Sequence, residues 1–160
     1  MSLRVGHGFD AHRLVAGRRF ILAGVSIAHD VGPLGHSDAD VVAHAICDAL
    51  LGAAALGDLG AHFPDSDARW KDVSSMLLMA ECRGLLAEAG WLPSNIDATI
   101  VVQEPKLAPY IAAMRQQVAT VLSLDIGAVS IKAKTSEGLG YTGDGSGIAA
   151  YAVALIERSR

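Results

Sequence analysis

Apolar residues recur along this chain in two rhythms. Through residues 39–56 they return every third or fourth position, as Val42, Ala43, Ile46, Ala49, Leu50, Ala53 and Ala54. That is the period of a helix with one buried stripe. Ser37 and Asp38 stand before it as candidate N-caps. Residues 73–89 repeat the helical rhythm and stop at Gly90, a residue suited to closing a helix. A third helix starts near Pro109 and runs to about residue 122. Residues 4–10, 96–102 and 129–133 read as strands, and Phe20-Ile21-Leu22-Ala23 with Val25-Ser26-Ile27 as a hairpin around Gly24. Residues 29–36, with Gly32, Pro33 and Gly35, read as a loop, as do residues 57–67. Residues 148–156 are apolar with mostly small side chains, where period does not separate strand from helix. The order predicts a single α+β domain over residues 1–160, with about three helices on one face of a mixed β-sheet.

Composition sharpens this picture. A chain of 160 residues holds one full core, and 51% hydrophobic with only 19% charged residues excludes general disorder. Apolar surface beyond what a small core absorbs points to a subunit interface. A net charge of −4 without a basic run argues against a nucleic-acid surface. Cys47 and Cys82 form neither a disulfide framework nor a paired zinc motif. The N-terminal residues lack signal character, and every apolar run breaks too early to span a membrane. A cytoplasmic protein with no membrane partner is expected.

The candidate chemistry starts at Asp10 and His12. Residues two apart on a strand share a face, so this carboxylate and imidazole can converge. If the first helix packs over that strand, His44 joins them. Three N/O ligands with one open position suit a catalytic divalent metal, zinc above all. The plain alternative is surface hydrogen bonding for Asp10 and His12 and a satisfied core histidine at 44. All six histidines lie within residues 7–62, so metal chemistry must be built there. Asp40, His44 and Asp48 fall on one helical stripe, and a neighbouring carboxylate suits the outer shell of a metal-bound histidine. Two anion sites suggest themselves. Lys106, Lys132 and Lys134 fall beside strand ends near Thr135, Ser136 and five glycines, although those glycines lack Walker or Rossmann spacing. The other is the predicted helix start at Ser37, beside His36. A metal and two anion sites imply phosphoryl chemistry on a polyphosphorylated small molecule.

These residues resemble a known family. Gly6-His7-Gly8-Phe9-Asp10-Ala11-His12, Gly35-His36-Ser37-Asp38-Ala39-Asp40, Ala43-His44, Gly57-Asp58-Leu59-Gly60, Phe63-Pro64-Asp65 and Lys134-Thr135-Ser136-Glu137-Gly138-Leu139-Gly140 are similar, in order and spacing, to the 2-C-methyl-D-erythritol 2,4-cyclodiphosphate synthase family. The length fits its single-function form, without a fused cytidylyltransferase. The resemblance implies a lyase of the non-mevalonate isoprenoid pathway. In that reaction 4-diphosphocytidyl-2-C-methyl-D-erythritol 2-phosphate closes to the cyclic diphosphate and releases CMP. It also implies a homotrimer with active sites between adjacent subunits.

By the same resemblance, Asp10, His12 and His44 bind one zinc per subunit, and Glu137 binds a second cation, magnesium or manganese. His36 and Thr135 stabilise the transition state, and Ser37 joins His36 on phosphate. Asp58, Leu59, Gly60, Phe63, Pro64, Asp65, Ser66 and Asp67 hold the methylerythritol phosphate. Val102, Gln103, Glu104, Pro105, Lys106, Leu107 and Ala108 form the cytidine pocket. Lys134, Thr135 and Ser136 contact the diphosphate, while Tyr141 and Asp144 occupy ligand-facing positions of the glycine-rich loop. Some members carry arginine where this chain has Asp144, and an acid there repels anions, so a prenyl diphosphate is not expected in the trimer-axis cavity. The competing readings are a metallophosphoesterase, which needs further ligands late in the chain, and a non-catalytic trimeric binding protein.

Overall fold

Two glycines decide how the first strand meets the first helix. A side chain on Gly6 would place its Cβ 2.0 Å from the Ala49 carbonyl oxygen, and one on Gly8 would lie 1.9 Å from that of Ala45. Only bare backbone admits this approach. Strand β1 (Leu3–Ala16) therefore lies directly against helix α1 (Val41–Ala53). The computed structural model describes residues 2–159.

Three further short strands follow β1. β2 (Phe20–Leu22) and β3 (Val25–Ile27) form the expected hairpin, turning at Ala23 and Gly24, both with positive φ. β4 (Val31–Pro33) pairs with the outer half of β1. The remaining elements are α2 (Leu59–His62), α3 (Ser75–Glu88), β5 (Trp91–Val101), α4 (Ile111–Leu122), β6 (Val129–Lys134), α5 (Gly140–Gly143) and β7 (Gly147–Arg158). The main sheet runs β4-β1-β7-β5-β6, with β5 and β6 parallel and the other pairs antiparallel. The result is an α+β domain on a mixed sheet.

The strand at the end of the chain settles what its period could not. Ile148, Ala150, Ala152, Ala154 and Ile156 are buried, while Tyr151 and Val153 on the other side are exposed. The small side chains let α1 sit close over the sheet. Helices α3 and α4 continue this layer over β5 and β6. On the opposite face Val5, Phe9, Tyr151 and Val153 remain open, with Phe9 and Tyr151 rings 5.0 Å apart. Among the described residues, no helix is long and apolar enough to cross a membrane.

Several boundaries differ from expectation. Helix α1 begins at Val41 and is capped by Asp40, whose side chain accepts from Ala43 N, so neither Ser37 nor Asp38 is its cap. Ala39 takes a positive φ and turns the chain away from helix before that point. Two one-turn helices, α2 and α5, lie in stretches expected to be loops, beside the three long ones. β4 also occupies a predicted loop. β5 starts five residues early, across a register shift at Pro93 and Asn95 that accommodates a residue without an N–H. Gly90, with a φ of 78°, does follow α3 as expected.

Candidate functional site

The close contact of β1 and α1 builds a three-residue cluster. Asp10 and His12 lie on the helix-facing side of β1, in phase with Gly6 and Gly8, and α1 lowers His44 onto them. Asp10 Oδ2 is 2.8 Å from His44 Nδ1 and 2.9 Å from His12 Nε2, and the two ring nitrogens are 3.5 Å apart. One ligand atom from each lies within 4.8 Å of the others. The backbone of Gly35 presses on His12 from the side, where a Cβ would meet Cε1 at 3.1 Å.

The electrostatics match the geometry. Burial pushes the Asp10 carboxyl up, but hydrogen bonds and charge from His12 and His44 outweigh it and bring it down to about 2. Burial pushes His44 down, and the bond to Asp10, with the charges of Asp10, Asp40 and Asp38, more than reverses that. The far nitrogen of His44, Nε2, is 2.8 Å from Ser75 Oγ and 3.1 Å from Ser37 Oγ. A carboxylate and two imidazoles of fixed orientation, converging at one point, fit a divalent cation.

The remaining members of the helical stripe serve elsewhere. Asp40 is fully buried and accepts from Ala23, Gly24 and Ala43 N–H groups; burial raises its carboxyl to about 6 despite those bonds. Asp48 accepts from Leu59 N at 2.7 Å and fixes the start of α2. Neither carboxylate bonds the His44 ring; Asp40 meets His44 only through its backbone carbonyl, which accepts the His44 N–H at 3.0 Å.

His36, Ser37, Leu59, Gly60, Phe63 and Asp65 line the cavity into which the triad opens. Ser37 precedes the helix by four residues, so the expected helix-terminus site is absent there. His36 Nδ1 faces Asp65 at 3.8 Å. Asp58 caps α2 through Ala61 N. Pro64 and Ser66 are exposed beside the cavity mouth. Asp67 is committed to Arg69, which holds its carboxyl below the usual range. Sequence reasoning missed Trp70 and Ser75. Trp70 lines the cavity, edge-on to Phe63 at 5.0 Å. An aromatic isolated in a polar loop was its one signal; Ser75 had none.

The second group of candidates lies apart. Val102, Gln103, Pro105, Lys106, Leu107 and Ala108 share another cavity with Lys134 and Thr135. Glu104 is exposed on this segment. Thr135 Oγ1 accepts from Glu137 N at 3.4 Å, and Ser136 Oγ donates to Leu139 O at 2.8 Å, shaping the turn. Glu137 is exposed at a φ of 55°. Lys132 is not part of this cradle: it projects from β6 and pairs with Asp97. The sheet register aligns Asp10 with Ala150, Ala150 with Ile100, and Ile100 with Ala133. Three inter-strand steps separate β1 from β6, roughly 14 Å. One chain therefore does not bring Thr135 to the triad. Tyr141 lines a third cavity, along β1 with His12, Arg13 and Ser146, and Asp144 is held below the usual carboxylate range by its bonds to Ser146.

Comparison with known proteins agrees with this architecture. The 2-C-methyl-D-erythritol 2,4-cyclodiphosphate synthase of Syntrophomonas wolfei is 59% identical over 157 residues, 98% of this chain and 100% of that protein. A solved 2C-methyl-D-erythritol-2,4-cyclodiphosphate synthase in a CDP-bound form superposes with a TM-score of 0.89 at 37% identity, covering 96% of this chain and all of that one. The bifunctional IspDF of Campylobacter jejuni reaches a TM-score of 0.94 at 38% identity over 98% of this chain, which spans 42% of that longer protein. The YgbB family model matches residues 3–157, and the chain belongs to the YgbB family.

Proposed function

We propose that the chain converts 4-diphosphocytidyl-2-C-methyl-D-erythritol 2-phosphate to 2-C-methyl-D-erythritol 2,4-cyclodiphosphate and CMP, a step of the non-mevalonate isoprenoid pathway. The observation that carries this is the convergence of Asp10, His12 and His44 at a cavity shared with His36 and Ser37. It occurs in a chain more than half identical to a synthase of that name. In the reaction an oxygen of the 2-phosphate attacks the β-phosphorus. The β-phosphorus bond to the bridging oxygen breaks, and CMP leaves with that oxygen and its electron pair. The substrate supplies its own nucleophile, so the protein's work is positioning and charge stabilisation.

Asp10, His12 and His44 would hold one zinc ion, and Glu137 a magnesium or manganese ion. Bound there, such cations neutralise phosphate charge and polarise phosphorus–oxygen bonds. His36 and Ser37 bind the methylerythritol phosphate, and Thr135 donates to the phosphoryl oxygens as charge builds. Asp58, Gly60, Pro64, Asp65 and Ser66 face the sugar-alcohol hydroxyls, while Leu59, Phe63 and Trp70 keep water from the reacting atoms. Residues 102–108 receive the cytidine. The metallophosphoesterase reading gains nothing: among the described residues the triad is the one cluster able to hold a metal.

The two half-sites lie too far apart to serve one substrate within a chain. We infer that they meet between adjacent copies of a homotrimer, packed through the open sheet face of Val5, Phe9, Tyr151 and Val153. Two unpaired thiols, Cys47 and Cys82, suit a reducing cytoplasm. A phosphorus NMR time course tests the reaction. Substrate and magnesium should give CMP and the cyclic diphosphate, with turnover abolished by exhaustive chelation and restored by zinc. Binding without turnover in metal-replete protein would leave a ligand-binding module instead.

A further inference from the structure

Ser75 stands at the first position of α3, fully buried and 31 residues from His44. Its hydroxyl lies 2.8 Å from His44 Nε2, the ring nitrogen turned away from Asp10 and His12. On its other side the same hydroxyl donates to Asp38 Oδ1. Asp38 Oδ2 accepts the Ser75 N–H at 3.0 Å, and Oδ1 also accepts the Asp40 N–H at 3.2 Å, so the carboxylate is fixed from three directions.

A hydroxyl has one proton to donate, and an ionised carboxylate can only accept. The Ser75 proton therefore goes to Asp38, and its oxygen presents lone pairs to His44. Nε2 must carry a proton to meet them. In the neutral ring that leaves the Nδ1 lone pair for a cation, whereas in the metal-free chain Nδ1, 2.8 Å from Asp10 Oδ2, also carries a proton and donates it there. We propose that Ser75 and Asp38 are positioning residues that hold His44 in its Nε2–H tautomer and thereby set the affinity of the triad for a divalent cation. This rests on the reading that the triad binds such a cation. Ser37 Oγ also approaches Nε2, at 3.1 Å, and accepts from Ala39 N, but it borders the cavity, where water and ligand compete for its hydroxyl. Ser75, closed off from solvent, is free of that competition.

The test is competition for zinc ion between a chromophoric chelator and metal-free protein. Outer-shell partners of ligating histidines are worth about 10–100-fold in metal affinity. Ser75→Ala should lose that much, and Asp38→Asn a similar amount, because a carboxamide donating to Oγ turns the serine proton toward His44. A purely structural role would lower the melting temperature of the metal-free variants and leave zinc affinity within twofold of wild type, which would overturn the proposal. Nitrogen-15 NMR of the wild-type imidazoles guards against variants that fail to fold. Zinc-loaded protein should show His44 protonated at Nε2, and a proton at Nδ1 would overturn the proposal. A wild-type chain that binds no zinc would remove the cation reading and this inference together, whereas equal affinities in wild type and Ser75→Ala would remove this inference alone.

Discussion

Gly8→Ala tests whether the strand–helix approach sets the site. The added Cβ would lie 1.9 Å from the Ala45 carbonyl oxygen and 2.7 Å from Ala49 N. Both obstacles are backbone, so no rotamer change relieves them. To reach even 3.0 Å, below which real contacts essentially never fall, α1 must retreat by about 1 Å. Overpacking of this kind costs about 1–3 kcal/mol, and a rigid backbone obstacle belongs at the upper end. The smaller unfolded-state entropy of alanine returns about 0.4–1 kcal/mol. A net loss of about 2 kcal/mol follows, a fall in melting temperature of roughly 4–8 °C for a chain of this size. Ala45 is the neighbour of His44, so the retreat carries the imidazole away from Asp10. A displacement of about 1 Å at a reacting site can lower turnover by about a hundredfold. Chemical denaturation at fixed protein concentration, together with CMP release, measures both effects. Wild-type stability with wild-type turnover would refute the reasoning, because it would mean that β1 and α1 can separate without consequence.

Three other predictions follow from the same geometry. Asp40→Ala removes a helix cap worth about 1 kcal/mol and strands the Ala23 and Gly24 N–H groups at about 1–3 kcal/mol each, so denaturation should show a loss of about 3 kcal/mol or more; a loss below about 1 would contradict it. His44→Ala should keep its circular dichroism spectrum and lose turnover, and full activity in that variant would remove the metal reading. In metal-free protein, Asp10 is held at about 2 against 3.8, so it contributes about 2 kcal/mol of stability above pH 4 that disappears as pH falls toward 2. Asp10→Asn should flatten that part of the acid stability profile, and parallel profiles would sink the assignment.

What the sequence disclosed depended on range. The helices and the Asp10–His12 pair were legible because their periods are local. β4 was not, because Gly32 and Pro33 argue for a loop and only pairing with Leu14, Val15 and Ala16 makes a strand of them. The Asp40–His44–Asp48 stripe was real as a pattern and its histidine reaches the triad, but the two carboxylates cap and brace backbone instead of bonding that histidine's ring. An N-cap four residues before a histidine shares its face automatically, and capping alone accounts for Asp40. Ser75 reaches His44 across 31 residues, a relation no spacing rule encodes. No spacing in the chain showed the separation of Thr135 from the triad either, since it depends on β7 and β5 lying between β1 and β6; only the family resemblance implied a divided site.

The central claim is that two half-sites of different copies make one active centre, and subunit mixing tests it most directly. His44→Ala and Thr135→Ala chains would be inactive alone, then unfolded, mixed in equal amounts and refolded together. If each site joins the triad side of one copy to the Thr135 side of the next, random assembly leaves both sides intact at about a quarter of the sites, and CMP release should return to about a quarter of the wild-type rate. If the site lies within one chain, every site in the mixture carries a defect. A mixture as inactive as its parents would then contradict the account.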